Sequence, residues 1–247
     1  MGDHPAARTV SFGPWRRLAA WGVHLLTASG AVVALLALAA IHRGRYAEAF
    51  AWMAVALAID SIDGTLARAV AVKTVLPTLD GARLDDVVDY LNYTLVPLAL
   101  IYASGKLPSH LALPVVAFVL LASAYGFAQT DAKTSDGYFK GFPSYWNVVV
   151  FYLCALDTPQ WFGAAALVLF GILVFVPSYY VYPSRSPRFR TTTIVLGVAW
   201  AIAAIVILAR LEDAPQTLVV ASLLYPAYYL GLSVYLTRLR RRAEYPA

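Results

Sequence analysis

The chain has 247 residues, 60% of them hydrophobic and only 13% charged, with a mean hydropathy of +0.66. A soluble domain carries about a quarter charged residues, so this chain cannot coat a water-soluble globule, and its apolar excess excludes disorder. A single cysteine, Cys154, excludes an internal disulfide scaffold, and the net charge of +5 reads as basic loops of a membrane protein, not as a nucleic-acid surface.

In chain order, Phe12–Gly22 comes first, where Trp15, Trp21 and the pair Arg16 and Arg17 predict a short amphipathic helix on the membrane surface. No cleavable leader is read in this segment. A crossing needs about 20 mostly apolar residues. Runs of that kind are Val23–Ile41, Tyr46–Gly64, Val87–Ala103, Leu111–Gln129, Trp161–Tyr182, Thr191–Ala209 and Leu218–Thr237. Between the fourth and fifth lies Tyr145–Leu156, whose length alone favours a buried or re-entrant helix.

Charge decides whether that short run crosses. With eight crossings, both termini share a side with nearly all of the 19 Lys and Arg, and only Arg43, Arg45, Lys106 and Arg210 face the other way. That is the positive-inside pattern, and seven crossings would erase it. The expected fold is therefore an all-α integral membrane domain spanning residues 1–247. It has eight transmembrane helices, the short N-terminal interfacial helix, and both termini in the cytoplasm.

The acids are concentrated. Of 14 Asp and Glu, six are Asp60, Asp63, Asp80, Asp85, Asp86 and Asp89. Asp60 and Asp63 share a helix face at i, i+3, as Asp85 and Asp89 do at i, i+4. Asp86 is turned about 100° from Asp85 and is left out. Two antiparallel helices bring four carboxylates to the cytoplasmic membrane edge, where intramembrane acids usually mark function. Such a cluster needs a counter-charge, and its oxygen ligands suit Mg²⁺ or Mn²⁺. An Asp–Arg network with Arg68 and Arg83 is the plainer alternative. A proton or cation transporter is another, although transporter sites lie near the midplane between matched repeats.

The residues Asp60-Ser-Ile-Asp63-Gly64-Thr-Leu-Ala67-Arg68, followed by Gly81-Ala-Arg-Leu-Asp85-Asp-Val-Val-Asp89, resemble the CDP-alcohol phosphotransferase signature D-x2-D-G-x2-A-R-x8-G-x3-D-x3-D. Twelve residues separate Arg68 from Gly81, where the usual signature has eight. This longer gap characterises the bacterial phosphatidylcholine synthase branch, as do His24-Leu-Leu-Thr27-Ala-Ser-Gly30 and the segment from Asp136 to Asn147.

The resemblance implies that Asp60, Asp63, Asp85 and Asp89 hold two divalent ions, Mn²⁺ or Mg²⁺, with Asp89 also the general base. It implies further that Gly64, Ala67, Arg68 and Gly81 accommodate the cytidine diphosphate, with His24 and Thr27 beside the nucleotide. Implied substrates are CDP-diacylglycerol and choline, giving phosphatidylcholine and CMP at the cytoplasmic face of a bacterial inner membrane, in a homodimer among membrane lipids. Quaternary ammonium groups bind aromatic faces, so Tyr138, Phe139, Tyr145 and Trp146 are the candidate choline contacts, with an interfacial aromatic belt as the alternative. Asp131 and Asp136 add charge there, and Arg185, Arg188 and Arg190 are candidates for lipid phosphate. Serine, inositol or glycerol phosphate remain alternative acceptors.

Overall fold

The computed structural model describes residues 12–132, 134, 138–156, 158–181, 189–211 and 213–244. It is helical almost throughout. The first two helices, α1 (Pro14–His42) and α2 (Tyr46–Val70), form an antiparallel pair packed along its length. Both helices bury small residues, among them Gly30, Ala34, Ala37, Ala49 and Ala56, and small residues let backbones approach where no hydrophobic effect drives helices together in lipid. After a four-residue helix, α3 (Val72–Val75), the chain runs as one helical rod from Gly81 to Ala103. The rod comprises α4 (Gly81–Asp89), a π-helical turn (Tyr90–Leu95) and α5 (Val96–Ala103). Pro97 explains the widened turn, since its ring presses on the carbonyl of Tyr93 and it has no N–H to offer.

The rest comprises α6 (Ser109–Ala128), α7 (Trp146–Ala155), α8 (Gln160–Phe175), α9 (Arg190–Leu208), α10 (Gln216–Ser222) and α11 (Leu224–Glu244). The core gathers Val96, Leu98, Leu100 and Ile101 of α5 with Val119, Trp146, Val150 and Leu167. Outward faces are apolar as well. Leu25, Leu35, Leu121, Ile205 and Leu224 are all exposed, an arrangement that only a hydrocarbon solvent tolerates at this density. Among the described residues, five helical stretches are long and apolar enough to cross a membrane: Pro14–His42, Tyr46–Val70, Ser109–Ala128, Arg190–Leu208 and Gln216–Arg240. The protein is an α-helical membrane protein.

Three expectations need correction. The interfacial helix over Phe12–Gly22 is no separate element. Pro14 opens α1, and no breaker intervenes before His42, so Trp15 and Trp21 lie on the first turns of one 29-residue helix. The run Trp161–Tyr182 is helical only to Phe175, because Pro177 blocks continuation. The last run breaks at Leu223, where Pro226 would clash with the carbonyl of Ser222.

The residues after Pro177 do something an all-α reading misses. Strand β1 (Tyr138–Lys140) pairs antiparallel with β2 (Tyr179–Val181), Phe139 opposite Tyr180. The outer edge of β2 is closed by side chains one turn apart on α11. The Tyr179 N–H donates to Thr237 Oγ1 (2.9 Å), whose one hydrogen is shared between the carbonyls of Ser233 (2.8 Å) and Tyr179 (3.1 Å). The Val181 N–H donates to Ser233 Oγ (3.3 Å), and the Tyr229 hydroxyl donates to the Val181 carbonyl (2.8 Å). A helix thus stands in for a third strand and satisfies an edge that would otherwise be open.

The twelve residues between Arg68 and Gly81 are equally ordered. Ala71 turns the chain in the left-handed region (φ 57°), and Val72, Val75 and Leu76 bury themselves against Ala20 and Val23 of α1.

Candidate active site

The acids sit where α2 approaches α4. Asp80 starts α4 as its N-cap, its carboxylate accepting from the N–H groups of Ala82 (3.0 Å) and Arg83 (3.4 Å). Arg83 pairs with that same carboxylate at 3.3 Å, so it serves Asp80. Asp60, Asp85 and Asp89 each present a carboxylate oxygen, and the three oxygens lie within 4.8 Å of one another. They border a pocket of about 10 Å³, which is the room of one water-sized sphere. Three ionised carboxylates this close need a cation or protons between them. All-oxygen donors suit a hard divalent ion.

Asp63, the fourth predicted member, lines the same pocket but is buried, and its Oδ2 accepts the Thr27 hydroxyl at 2.7 Å. Thr27 is therefore placed on an acid. His24 is buried against Gly81, where an added Cβ would come within 2.9 Å of His24 Cε1. That close approach requires glycine. Gly64 faces open space, the nearest atom to an added Cβ being Arg68 Nη1 at 3.5 Å. Ala67 packs on the cluster formed by α3. Arg68 is exposed and donates to Thr65 Oγ1 at 3.0 Å.

Two residues of the site went unread in the sequence. The Tyr93 hydroxyl donates to Asp60 Oδ2 at 2.9 Å, and Asn92 lines the pocket and has a buried Oδ1 that no donor among the described residues reaches. Both lie within a run that reads as plain membrane span. The signal was there: an Asn in an apolar helix is costly unless it has work to do. With three carboxylate oxygens and a buried amide oxygen, the pocket fits a hard cation.

The aromatic candidates divide. Tyr138 of β1 and Tyr179 of β2 flank the guanidinium of Arg240, which lies 5.8 and 4.2 Å from their ring centres. Phe139 meets Tyr145 edge-on at 6.4 Å, and Tyr145 meets Tyr229 at 5.9 Å. Trp146 is not with them. It is fully buried, its indole N–H donating to Ser123 Oγ at 2.7 Å, and a ring enclosed in the core cannot face a ligand. Asp131 pairs with Lys140, which holds its carboxyl below the usual carboxylate range. Arg190 is exposed at the start of α9, while Asp136, Arg185 and Arg188 lie outside the described residues.

The sequence profile of CDP-alcohol phosphatidyltransferases matches residues 23–176, from α1 to the end of α8. The chain belongs to the CDP-alcohol phosphatidyltransferase family. All the pocket-lining acids fall inside the matched region. Among curated relatives, the chain is 42% identical over 226 residues to the phosphatidylcholine synthase of Legionella pneumophila, covering 89% of each. It is 36% identical over 229 residues to that of Pseudomonas aeruginosa, covering 92% of this chain and 95% of the relative. It is also 36% identical over 220 residues to that of Borreliella burgdorferi, with coverages of 88% and 94%.

Proposed function

We propose that this family member is a phosphatidylcholine synthase, which transfers the phosphatidyl group of CDP-diacylglycerol to choline and releases CMP. The observation that carries the reading is the convergence of Asp60, Asp85 and Asp89 within 4.8 Å, in a chain alike along most of its length to relatives bearing that name. In this reading Asp60, Asp85 and Asp89, with Asp63 alongside, hold two divalent ions, Mn²⁺ or Mg²⁺. When bound, these supply positive charge to the pyrophosphate oxygens.

The remaining chemistry belongs to side chains of this chain. Choline's hydroxyl is a weak nucleophile at neutral pH, so Asp89 accepts its proton as the oxygen attacks the β-phosphorus. The new O–P bond forms as the bond to CMP breaks, and Arg68, exposed at the end of the acid-bearing helix, neutralises the departing phosphate. Gly64 and Ala67 keep α2 low beneath the nucleotide, with Gly81, His24 and Thr27 behind them. Tyr145, Phe139 and Tyr138 border the quaternary ammonium, while Trp146 supports them from the core.

We further propose eight crossings with both termini and the acids on the cytoplasmic side of a bacterial inner membrane, in a homodimer. The distribution of Lys and Arg supports the topology. Helix α7 has ten residues and rises only about 15 Å, half a hydrocarbon core. The extended segment before it completes that crossing, as non-helical backbone can when it is buried in protein.

The test is CMP release by purified protein from CDP-diacylglycerol and Mn²⁺, with choline, serine, inositol or glycerol phosphate in turn. Release with choline alone, lost in Asp89→Asn, is expected. Release with another acceptor overturns the choline assignment. No release from folded, metal-binding protein overturns the transferase reading in favour of cation transport.

A further inference from the structure

Asn92 is 3% exposed, and both hydrogens of its amide nitrogen are engaged. Its Nδ2 donates to the Gly30 carbonyl on α1 and to the Val88 carbonyl on its own helix, each at 3.0 Å. Only an NH₂ group can face two carbonyls, so the amide's orientation is fixed and Oδ1 points the other way. That oxygen is buried without a donor among the described residues, on a residue lining the pocket of Asp60, Asp85 and Asp89.

With its aspartates ionised, the pocket has no side chain to supply the missing donor. Its other polar side chains are the four aspartates and the hydroxyls of Thr27 and Tyr93. Thr27 gives its hydrogen to Asp63, and Tyr93 gives its own to Asp60. Ionised carboxylates only accept. A buried acceptor without a donor is costly, so its partner arrives with what binds there. The space is ion-sized, about 10 Å³, and amide carbonyls are ordinary ligands of hard cations.

We infer that Asn92 Oδ1 is a ligand of one of the two divalent cations, a neutral oxygen beside the three carboxylates. This rests on the metal site proposed above and adds a ligand outside the acidic signature. A neutral fourth ligand leaves the ion more of its positive charge than a fourth carboxylate would, and that charge is what a pyrophosphate oxygen meets. The π turn explains the placement, since Asn92 sits on the widened coil directly after Asp89.

The test is Mn²⁺ binding to the full chain in detergent without lipid substrate, read from the free-ion electron paramagnetic resonance signal. Asn92→Ala is expected to weaken Mn²⁺ binding by about 10–100-fold, and Asn92→Ser, which is too short to take the place of Oδ1 but can still donate to the Val88 carbonyl, to weaken it as much. The thermal midpoint in chelator separates lost folding from lost binding. If Asn92→Ala fails to fold, Asn92→Ser carries the test, and binding within twofold of wild type there overturns the inference. A folded Asn92→Ala protein within twofold of wild type overturns it too, and a rise confined to the choline KM reassigns the oxygen to the acceptor hydroxyl. Absence of Mn²⁺ binding by the wild type overturns the metal reading itself.

Discussion

Gly30 offers the sharpest test of how packing sets the acid site. A Cβ built on Gly30 lies 2.5 Å from Val88 Cγ1 and 3.5 Å from Asn92 Nδ2. Carbon atoms pack best at about 3.5–4.0 Å, so Gly30→Ala demands roughly 1 Å of new separation between α1 and α4. Val88 cannot step aside freely, because a β-branched side chain in a helix has essentially one χ1 rotamer. The displacement therefore falls on α4, which carries Asp85 three residues before Val88 and Asp89 one after it. Overpacking of this kind costs about 1–3 kcal/mol, or a thermal midpoint lower by roughly 2–12 °C for a chain this size. A 1 Å misplacement of catalytic groups costs on the order of 10² in rate. The assay is choline-dependent CMP release beside the thermal midpoint. Val88→Ala should rescue Gly30→Ala to within about fivefold, since it removes the methyl that the new Cβ meets and nearly conserves volume. A single variant within threefold of wild type in rate and 1 °C in midpoint would refute the reasoning, as would a double variant no better than the single.

Other expectations follow from the same geometry. Asp89→Asn should lower CMP release by about 10²–10⁴, and chelation by EDTA should abolish it until Mn²⁺ or Mg²⁺ is returned. Thr237→Val removes the hydroxyl that both accepts from and donates to Tyr179. Its expected cost is about 1–3 kcal/mol, with a choline KM raised more than the CDP-diacylglycerol KM because β2 positions Tyr138 and Phe139; Thr237→Ser should restore both. Tyr145→Ala should raise the choline KM by about 2–30-fold, the worth of one cation–π contact. Trp146→Phe, which loses the bond to Ser123, should lower the thermal midpoint and leave the choline KM within twofold.

Much of this was legible in the residues. The spacing of Asp60, Asp63, Asp85 and Asp89 identified the helix faces, and each predicted apolar run is at least partly helical. What stayed hidden depends on contacts between distant elements. Nothing local in Asp63 says that it turns to Thr27, 36 positions earlier. Tyr179, Tyr180 and Val181 score as apolar span, yet they are a strand, because Pro177 ends the helix and α11 supplies the missing edge partners. Trp146 sits in sequence beside the other aromatics, and only the packing of α6 shows that its indole is needed inside. Asn92 and Tyr93 were readable in part: polar groups in a run headed for hydrocarbon, five and four residues ahead of Pro97, which distorts the helix.

The hydroxyl ladder on α11 also bears on how the protein comes into being. Asp60, Asp85 and Asp89 belong to the first elements synthesised, and their helices can assemble while the rest of the chain is still on the ribosome. The strands β1 and β2 emerge well before Tyr229, Ser233 and Thr237 exist, so their outer edge waits for α11 to enter the membrane. A chain stalled short of Tyr229 would carry an assembled acid cluster but a strand pair with one edge open. In the reading proposed above, competence for the transfer is thus acquired late in synthesis, when the strand pair first gains its support from α11.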